Sequence, residues 1–326
     1  MKMSVCIPLF NGAWCIEDAL DSLCLQVRKP DEVIIQDDVS LDKGNLLIEK
    51  YMRDLKIKFA INKNNLGMIG NWNECIARAN GDIIAFLHQD DGYYPDFLNE
   101  VENDFINNNK IDLWTCEEGG KGCPDVQFGK ISEYIGVINS KELLYNTFTW
   151  KDIPPPTTVV FRKKTLDNIG LYNLKYKYAA EPDLYFRFFI KGCHMFKSNK
   201  LLVWRTPSDT RASATLADTS LYYKERLYFL REHYIEVDNI TLNDALKDYC
   251  QAAGKSISKN LSRLKLTEAN NIYTVVDKVV VEFSDGQGVP KLNYLVFYKN
   301  IVFLTITMIF ARIKNMPNFL KRYLSV

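Results

Sequence analysis

Residues 3–12 read MSVCIPLFNG, residues 32–40 read EVIIQDDVS and residues 81–91 read GDIIAFLHQDD. Each is a short apolar run without helical period that ends in polar residues, the pattern of a buried strand leading into a loop. Between the first two, residues 13–27 place Ile16, Ala19, Leu20, Leu23 and Val27 at three- and four-residue spacing, which predicts an amphipathic helix. Helical stretches at 46–55 and 69–79 and a strand at Ile57–Ile61 continue the alternation up to a strand at Asp82–His88. Parallel neighbours need crossover connections, so strands alternating with helices of this length predict a mostly parallel sheet with helices on its faces. The N-terminal half is therefore read as doubly wound α/β. In such sheets ligands gather at the carboxyl ends of the strands, so the loops after Leu9, Gln36 and His88 are expected to face one crevice.

From about residue 111 the alternation becomes irregular, with a Gly/Cys/Pro loop expected at 117–125 and the run DIPPPTT at 152–158 ahead of a strand VVFR. Both are expected to shape a variable substrate pocket. Glu181–Lys191 reads as a short helix ended by Gly192. After about residue 215 the pattern is helical, with stretches at 221–234 and 243–266, so a unit 1–215 and a helical C-terminal region 216–326 are expected. The 326 residues are 47% hydrophobic and 25% charged, the balance of a folded globular chain. Forty-one basic and forty acidic residues give a net charge of +1, which argues against a protein that coats nucleic acid. None of the eight cysteines forms a CxxC pair, and Cys6, Cys15, Cys24 and Cys75 fall in apolar patterns, so reduced thiols in a cytoplasmic protein are expected. The N-terminal apolar run is too short for a signal peptide.

No GxGxxG follows the first strand, and no GxxxxGK[ST] or HExxH is present. The strand ends carry acidic pairs instead, Asp37-Asp38 and Asp90-Asp91. Adjacent carboxylates repel unless a cation or hydrogen-bond donors compensate, and oxygen ligands of this kind suit Mg²⁺ or Mn²⁺ that also binds substrate phosphates. The plainer alternative is that one acid of each pair caps a turn while the other is solvated.

The runs SVCIPLFNG, VIIQDDVSLD, NLGMIGNWNECIARANGDIIAFLHQDDGYYPD and AAEPDLYFRFFIKG, in that order and spacing over about residues 3–205, resemble the family 2 glycosyltransferases of GT-A fold. The resemblance implies an inverting transferase whose partners are a nucleoside-diphosphate sugar, a UDP-sugar first of all, and a carbohydrate or lipid-linked acceptor. It implies that Pro8, Phe10, Asn11 and Asp38 hold the nucleobase, Phe10 offering a stacking face and Asp38 an acceptor for the uracil N3 hydrogen. Asp90 and Asp91 match the DxD-type motif that meets the ribose and the divalent metal, although His88 stands where many relatives have an aspartate. Asn71 and Asn73 match an NWN run of one subgroup, as donor contacts or as helix packing.

Glu181 matches the family's catalytic base by its distance to Arg187, with Asp183 as a competitor two residues on. A sugar hydroxyl is a weak nucleophile until a carboxylate accepts its proton. VWRTPSDTRASAT at 203–215 resembles the loop that closes over the donor. It lacks the histidine often found near Thr206, which leaves Arg205 or Arg211 to neutralise the departing diphosphate. The alternatives are a nucleotidyltransferase on a similar sheet and a catalytically silent sugar-nucleotide-binding subunit. Residues 291–326 hold six basic and no acidic residues around the apolar run IVFLTITMIFA (301–311), too short to span a bilayer. They are expected either to lie at the inner face of the cell membrane or to cover an apolar face of the protein.

Overall fold

The computed structural model describes residues 1–121, 123–127, 136–138, 140–151, 153–206, 219–262, 271 and 274. The chain divides into two compact units, Met1–Thr147 with Lys151–Ser208, and Phe148–Trp150 with Asp209–Val326. The first is built on one sheet. Strands β1 (Met3–Leu9), β2 (Glu32–Asp37), β3 (Ile57–Ile61) and β4 (Ile83–Phe86) lie in the order β3-β2-β1-β4, all parallel. Beyond β4 the sheet becomes mixed. Strand β9 (Val160–Arg162) runs antiparallel to β4 and to β6 (Ile111–Gly120), while β10 (His194–Arg205) runs parallel to β6 and antiparallel to the short β5 (Asp91–Tyr93).

The connecting helices are α1 (Ile16–Cys24), α2 (Gly44–Ile48), α3 (Gly67–Arg78) and α4 (Phe97–Asn107). Helix α1 buries Ile16, Ala19, Leu20 and Leu23 and carries Glu17 and Asp18 in its first turn, where negative charge complements the helix dipole. It is shorter than the expected 13–27, because the Gly12 carbonyl accepts from both Cys15 and Ile16 N–H and makes residues 12–15 a turn. The expected helix 46–55 is likewise α2 followed by a 3₁₀ turn, Glu49–Tyr51. Met3, Val5, Ile7, Val33, Ile35, Ile83 and Ala85 form the sheet's contribution to the core, which continues through Tyr93, Phe97 and Trp114. Tyr93 stacks on Phe97 at 3.7 Å, and Trp114 meets Phe97 edge-on at 5.5 Å.

One expected loop is a hairpin. Residues 117–120 complete β6, and β7 (Cys123–Gln127) returns antiparallel to it. The acidic pair there resembles loop sequence, but Glu117 and Glu118 are buried opposite Lys197 (3.4 Å) and Arg205 (2.9 Å) of β10.

After α5 (Ser140–Thr149) and α6 (Lys163–Ile169), α7 (Ala180–Ile190) ends where Gly192 takes a positive φ of 74° and donates to the Phe189 carbonyl. Within the second unit, helix Ser220–His233 is capped by the Thr219 hydroxyl, which accepts from Tyr222 N–H. Its Tyr223 hydroxyl donates to the Ala252 carbonyl of helix Asn239–Ser262, and the Arg226 guanidinium lies 5.1 Å from the centre of the Trp150 ring. Among the described residues no helix is long and apolar enough to cross a membrane. Arg211 and the basic segment 291–326 lie outside the described residues, as do the side chains of Cys123 and Cys250. The other six cysteines are free thiols.

Candidate active site

The loops after β1, β2 and β4 are tied to one another at the carboxyl ends of the strands. Asn11, at φ 48°, donates its N–H to the Ser40 hydroxyl (2.8 Å), and its side-chain oxygen accepts from Leu41 N–H (2.9 Å). Asp37 accepts from Ser40 N–H at 3.0 Å, so the first acid of that pair holds the turn. Phe10 has its backbone fixed by the side chain of Gln89, while the residue remains 47% exposed. Pro8 lies inside β1, paired with Gln36.

Asp38 is buried, and its neighbours explain why. Helix α3 starts with Leu66 at the N-cap and has no cap of its own. Asp38 supplies one from 28 residues upstream, accepting from Leu66 N–H (2.7 Å), Gly67 N–H (2.9 Å) and Asn62 Nδ2 (2.8 Å). An ionised carboxylate offers about four acceptor positions, and these bonds occupy three of them. Asn71 is also internal: its Nδ2 donates to the carbonyls of Gln36 (2.9 Å) and Leu9 (3.3 Å), and its Oδ1 accepts from Asn62 (3.0 Å). The amide thus bridges the ends of β1 and β2. Asn73 pairs in both directions with the backbone of Tyr172, at 2.8 and 3.0 Å.

Strand β4 stops at Phe86, two residues before the expected end, so His88, Gln89 and Asp90 stand in a loop and Asp91 opens β5. One ligand atom from each of His88, Asp90 and Asp91 lies within 4.8 Å of the others. Asp91 is buried and accepts from the Thr157 hydroxyl at 2.8 Å, while the His88 ring packs at a tilt against Trp72, 5.2 Å between centroids. The surrounding field is negative. Burial first, then the carboxylates of Asp90, Asp18, Asp42 and Asp91, push the nearby Cys15 thiol up to about 12. Two carboxylates and an imidazole form a donor set that fits a divalent cation, Mn²⁺ tolerating the nitrogen better than Mg²⁺.

The two acids of α7 part company. Asp183 is buried and accepts from Arg187 Nε at 2.9 Å, while the remaining Arg187 nitrogens hold the carbonyls of Ile169 (3.0 Å) and Leu171 (2.8 Å). Glu181 is half-buried. Burial first and Glu181 next hold Tyr172 well above its ordinary range; for Tyr185 the causes are burial, Tyr172 and Glu181. Trp72 meets both Tyr172, edge-on at 5.2 Å, and His88, which links the ring of Tyr172 to the acidic group. Arg205, the last residue of β10, pairs in register with Asp91, and its guanidinium binds Glu118.

The sequence model of the family described as Glycosyl transferase family 2 matches residues 4–170. The chain belongs to that family. Within it, the poly(ribitol-phosphate) β-N-acetylglucosaminyltransferase TarS of Staphylococcus aureus is 26% identical over 191 residues, 57% of this chain and 32% of TarS. The chain thus aligns with about a third of that relative's length. A glucosyltransferase of Campylobacter jejuni, named for a GalNAc(5)-diNAcBac-PP-undecaprenol substrate, is 28% identical over 170 residues, 51% of this chain and 53% of that protein. Among solved structures, TarS 1–349 in complex with UDP-GlcNAc superposes with a TM-score of 0.59 at 18% identity, covering 89% of this chain and 98% of that one. The mannosyltransferase PcManGT of Pyrobaculum calidifontis, in complex with GDP-Man and Mn²⁺, gives 0.57 at 12% identity and covers 86% and 87%. These likenesses establish the GT-A fold. In this family 2 chain, Gln89, Thr157, Asn62 and Tyr172 hydrogen-bond to the candidate residues and were not singled out by the sequence reading. Thr157 carried one signal, since the prolines at 154–156 fix the backbone ahead of it.

Proposed function

We propose that this chain is an inverting, divalent-metal-dependent glycosyltransferase that moves a sugar from a UDP-sugar to a hydroxyl of a carbohydrate or lipid-linked acceptor. The observation that carries the reading is the meeting, at the ends of β1, β2 and β4, of an exposed Phe10, an internally braced Asp38 and the His88/Asp90/Asp91 group. Phe10 offers its ring to the base, and Asp38 has an acceptor position left for the uracil N3 hydrogen. His88, Asp90 and Asp91 would hold the metal, which when bound there offsets the charge of the diphosphate. Glu181 accepts the proton of the acceptor hydroxyl as its oxygen attacks the anomeric carbon. The bond from that carbon to the diphosphate oxygen breaks, the nucleoside diphosphate leaves, and a single displacement inverts the anomeric centre. Arg205 stands beside Asp91 as a cation that could turn from Glu118 toward the leaving phosphate. The TarS complex with UDP-GlcNAc supports a uridine donor, and the name of the Campylobacter relative supports a lipid-linked acceptor presented at a membrane surface.

The test is nucleoside-diphosphate release from a panel of UDP-, dTDP- and GDP-sugars in Mn²⁺, with proton NMR reading the anomer first formed. Release from an α-linked UDP-sugar with a β product is expected. No release from any donor, with or without acceptor extracts, would overturn the enzymatic reading; an α product would overturn inversion.

A further inference from the structure

Strands β1 and β4 pair in parallel from Met3 and Ile83 to Cys6 and Phe86, and Leu87 N–H adds a last bond to the Cys6 carbonyl before the backbones part. Strand β1 has β2 on one side and β4 on the other, so the gap between the ends of β1 and β4 is the switch point at which open α/β sheets receive ligands. Both polar backbone groups of Phe10 are bridged across this gap. Phe10 N–H donates to Gln89 Oε1 at 2.8 Å, and Gln89 Nε2 donates to the Phe10 carbonyl at 3.1 Å. A primary amide presents the donor and acceptor of a peptide group, so this side chain continues the ladder where the neighbouring strand has turned away.

Gly12 supplies an independent observation. A Cβ there would lie 2.6 Å from Gln89 Oε1, 2.8 Å from its Cδ and 2.6 Å from Leu9 Cδ1, so the amide seats against the chain because residue 12 has no side chain. Gln89 also stands between His88 and Asp90 in sequence. The loop that carries the metal-type group is thereby fastened to the loop that carries the exposed aromatic ring.

Resting on the donor reading above, we propose that Gln89 is a positioning residue that fixes the spacing between the nucleobase face at Phe10 and the diphosphate end at Asp90 and Asp91. It governs donor affinity rather than the rate of sugar transfer. Without the bridge the Phe10 loop samples other arrangements, and apparent affinity falls by the fraction of time it spends in the competent one. A ligand that reaches only the acidic end is insensitive to this.

Calorimetry in Mn²⁺ with UDP and with inorganic pyrophosphate, on the wild type, Gln89→Ala and Gly12→Ala, separates these cases, and donor kinetics supply KM and kcat. Both variants are expected to bind UDP about tenfold more weakly, the scale of one or two net hydrogen bonds. Donor KM should rise in parallel, with kcat at saturating donor and pyrophosphate binding within twofold of the wild type. UDP affinity and KM within twofold of wild type in Gln89→Ala would overturn the inference while leaving the function intact. So would an equal loss of UDP and pyrophosphate, since the residue would then serve the acidic end or the fold at large. A wild-type protein that binds no nucleoside diphosphate in Mn²⁺ would overturn the donor reading itself, and the inference with it.

Discussion

Glu181 and Asp183 stand two residues apart in the first turn of α7, yet their surroundings assign them different work. Asp183 is buried against Arg187, whose other nitrogens hold the Ile169 and Leu171 carbonyls, so its carboxylate braces the loop ahead of α7. Removing its charge leaves a partly buried guanidinium short of a partner, and Asp183→Asn should cost about 2–3 kcal/mol of stability. Glu181→Gln keeps the size and hydrogen bonding of the side chain but cannot accept a proton. Its melting temperature and donor KM should match the wild type, while kcat falls by about 10²-fold or more. If Asp183→Asn instead lost turnover without losing stability, the base would be two residues further along. The sequence placed Glu181 first by its distance to Arg187 and kept Asp183 as a competitor; that Arg187 reaches back over residues 169–171 while holding Asp183 is a contact that spacing alone does not encode.

Strand β2 shows an element whose existence was legible and whose support was not. The run EVIIQ is apolar enough to be read as buried strand, but the bonds that fix its first residue come from three other segments. Glu32 accepts from Ser4 Oγ (2.6 Å), Lys58 Nζ (2.5 Å) and Asn80 N–H (2.6 Å). Burial opposes its charged form, but Lys58, Ser4 and Asn80 outweigh it and hold the carboxyl below its ordinary 4.5. A depressed folded-state value means that the stabilisation is fully present above about pH 4.5 and disappears as pH falls through the folded value. Glu32→Gln should therefore lower stability at pH 7 by about 1–3 kcal/mol and make unfolding less steep in acid, as denaturant titrations from pH 3 to 7 would read. An unchanged acid limb would remove Glu32 from that account. Helix α3 follows the same logic. Its period was visible, but its cap comes from Asp38, so Asp38→Ala should weaken the helix as well as the proposed nucleotide site and cannot report on binding by itself. Gln89 escaped the sequence reading because its partners, the N–H and carbonyl of Phe10, lie 79 residues away and are backbone groups, which carry no residue signature.

At the scale of the whole molecule, alternating apolar runs and helical periods were sufficient for the parallel half of the sheet. The mixed half was not readable in the same way, since β6 carries Glu117 and Glu118, whose charges are matched only once β10 lies alongside. The sheet joins the halves through β4 and β9, and the chain returns to the strand ends at Asp91, which opens β5, pairs in register with the last residue of β10 and belongs to the acidic group beyond β4. A nucleotide bound there would engage strands from both parts of the first unit, so its binding energy should appear as resistance of that unit to unfolding. A ligand at one hundred times its Kd adds about 2.7 kcal/mol to the state it binds. For a domain of this size that corresponds to a rise in Tm of roughly 5–10 °C. UDP with Mn²⁺ should produce that rise, whereas UDP in excess EDTA should give less than about a quarter of it, because the clustered carboxylates of Asp90 and Asp91 would repel an uncompensated diphosphate. Differential scanning calorimetry at several UDP concentrations reads both arms. A shift of the same size in EDTA would show that the acidic group does not grip the nucleotide through a divalent ion, and would leave cations such as Arg205 to carry the diphosphate.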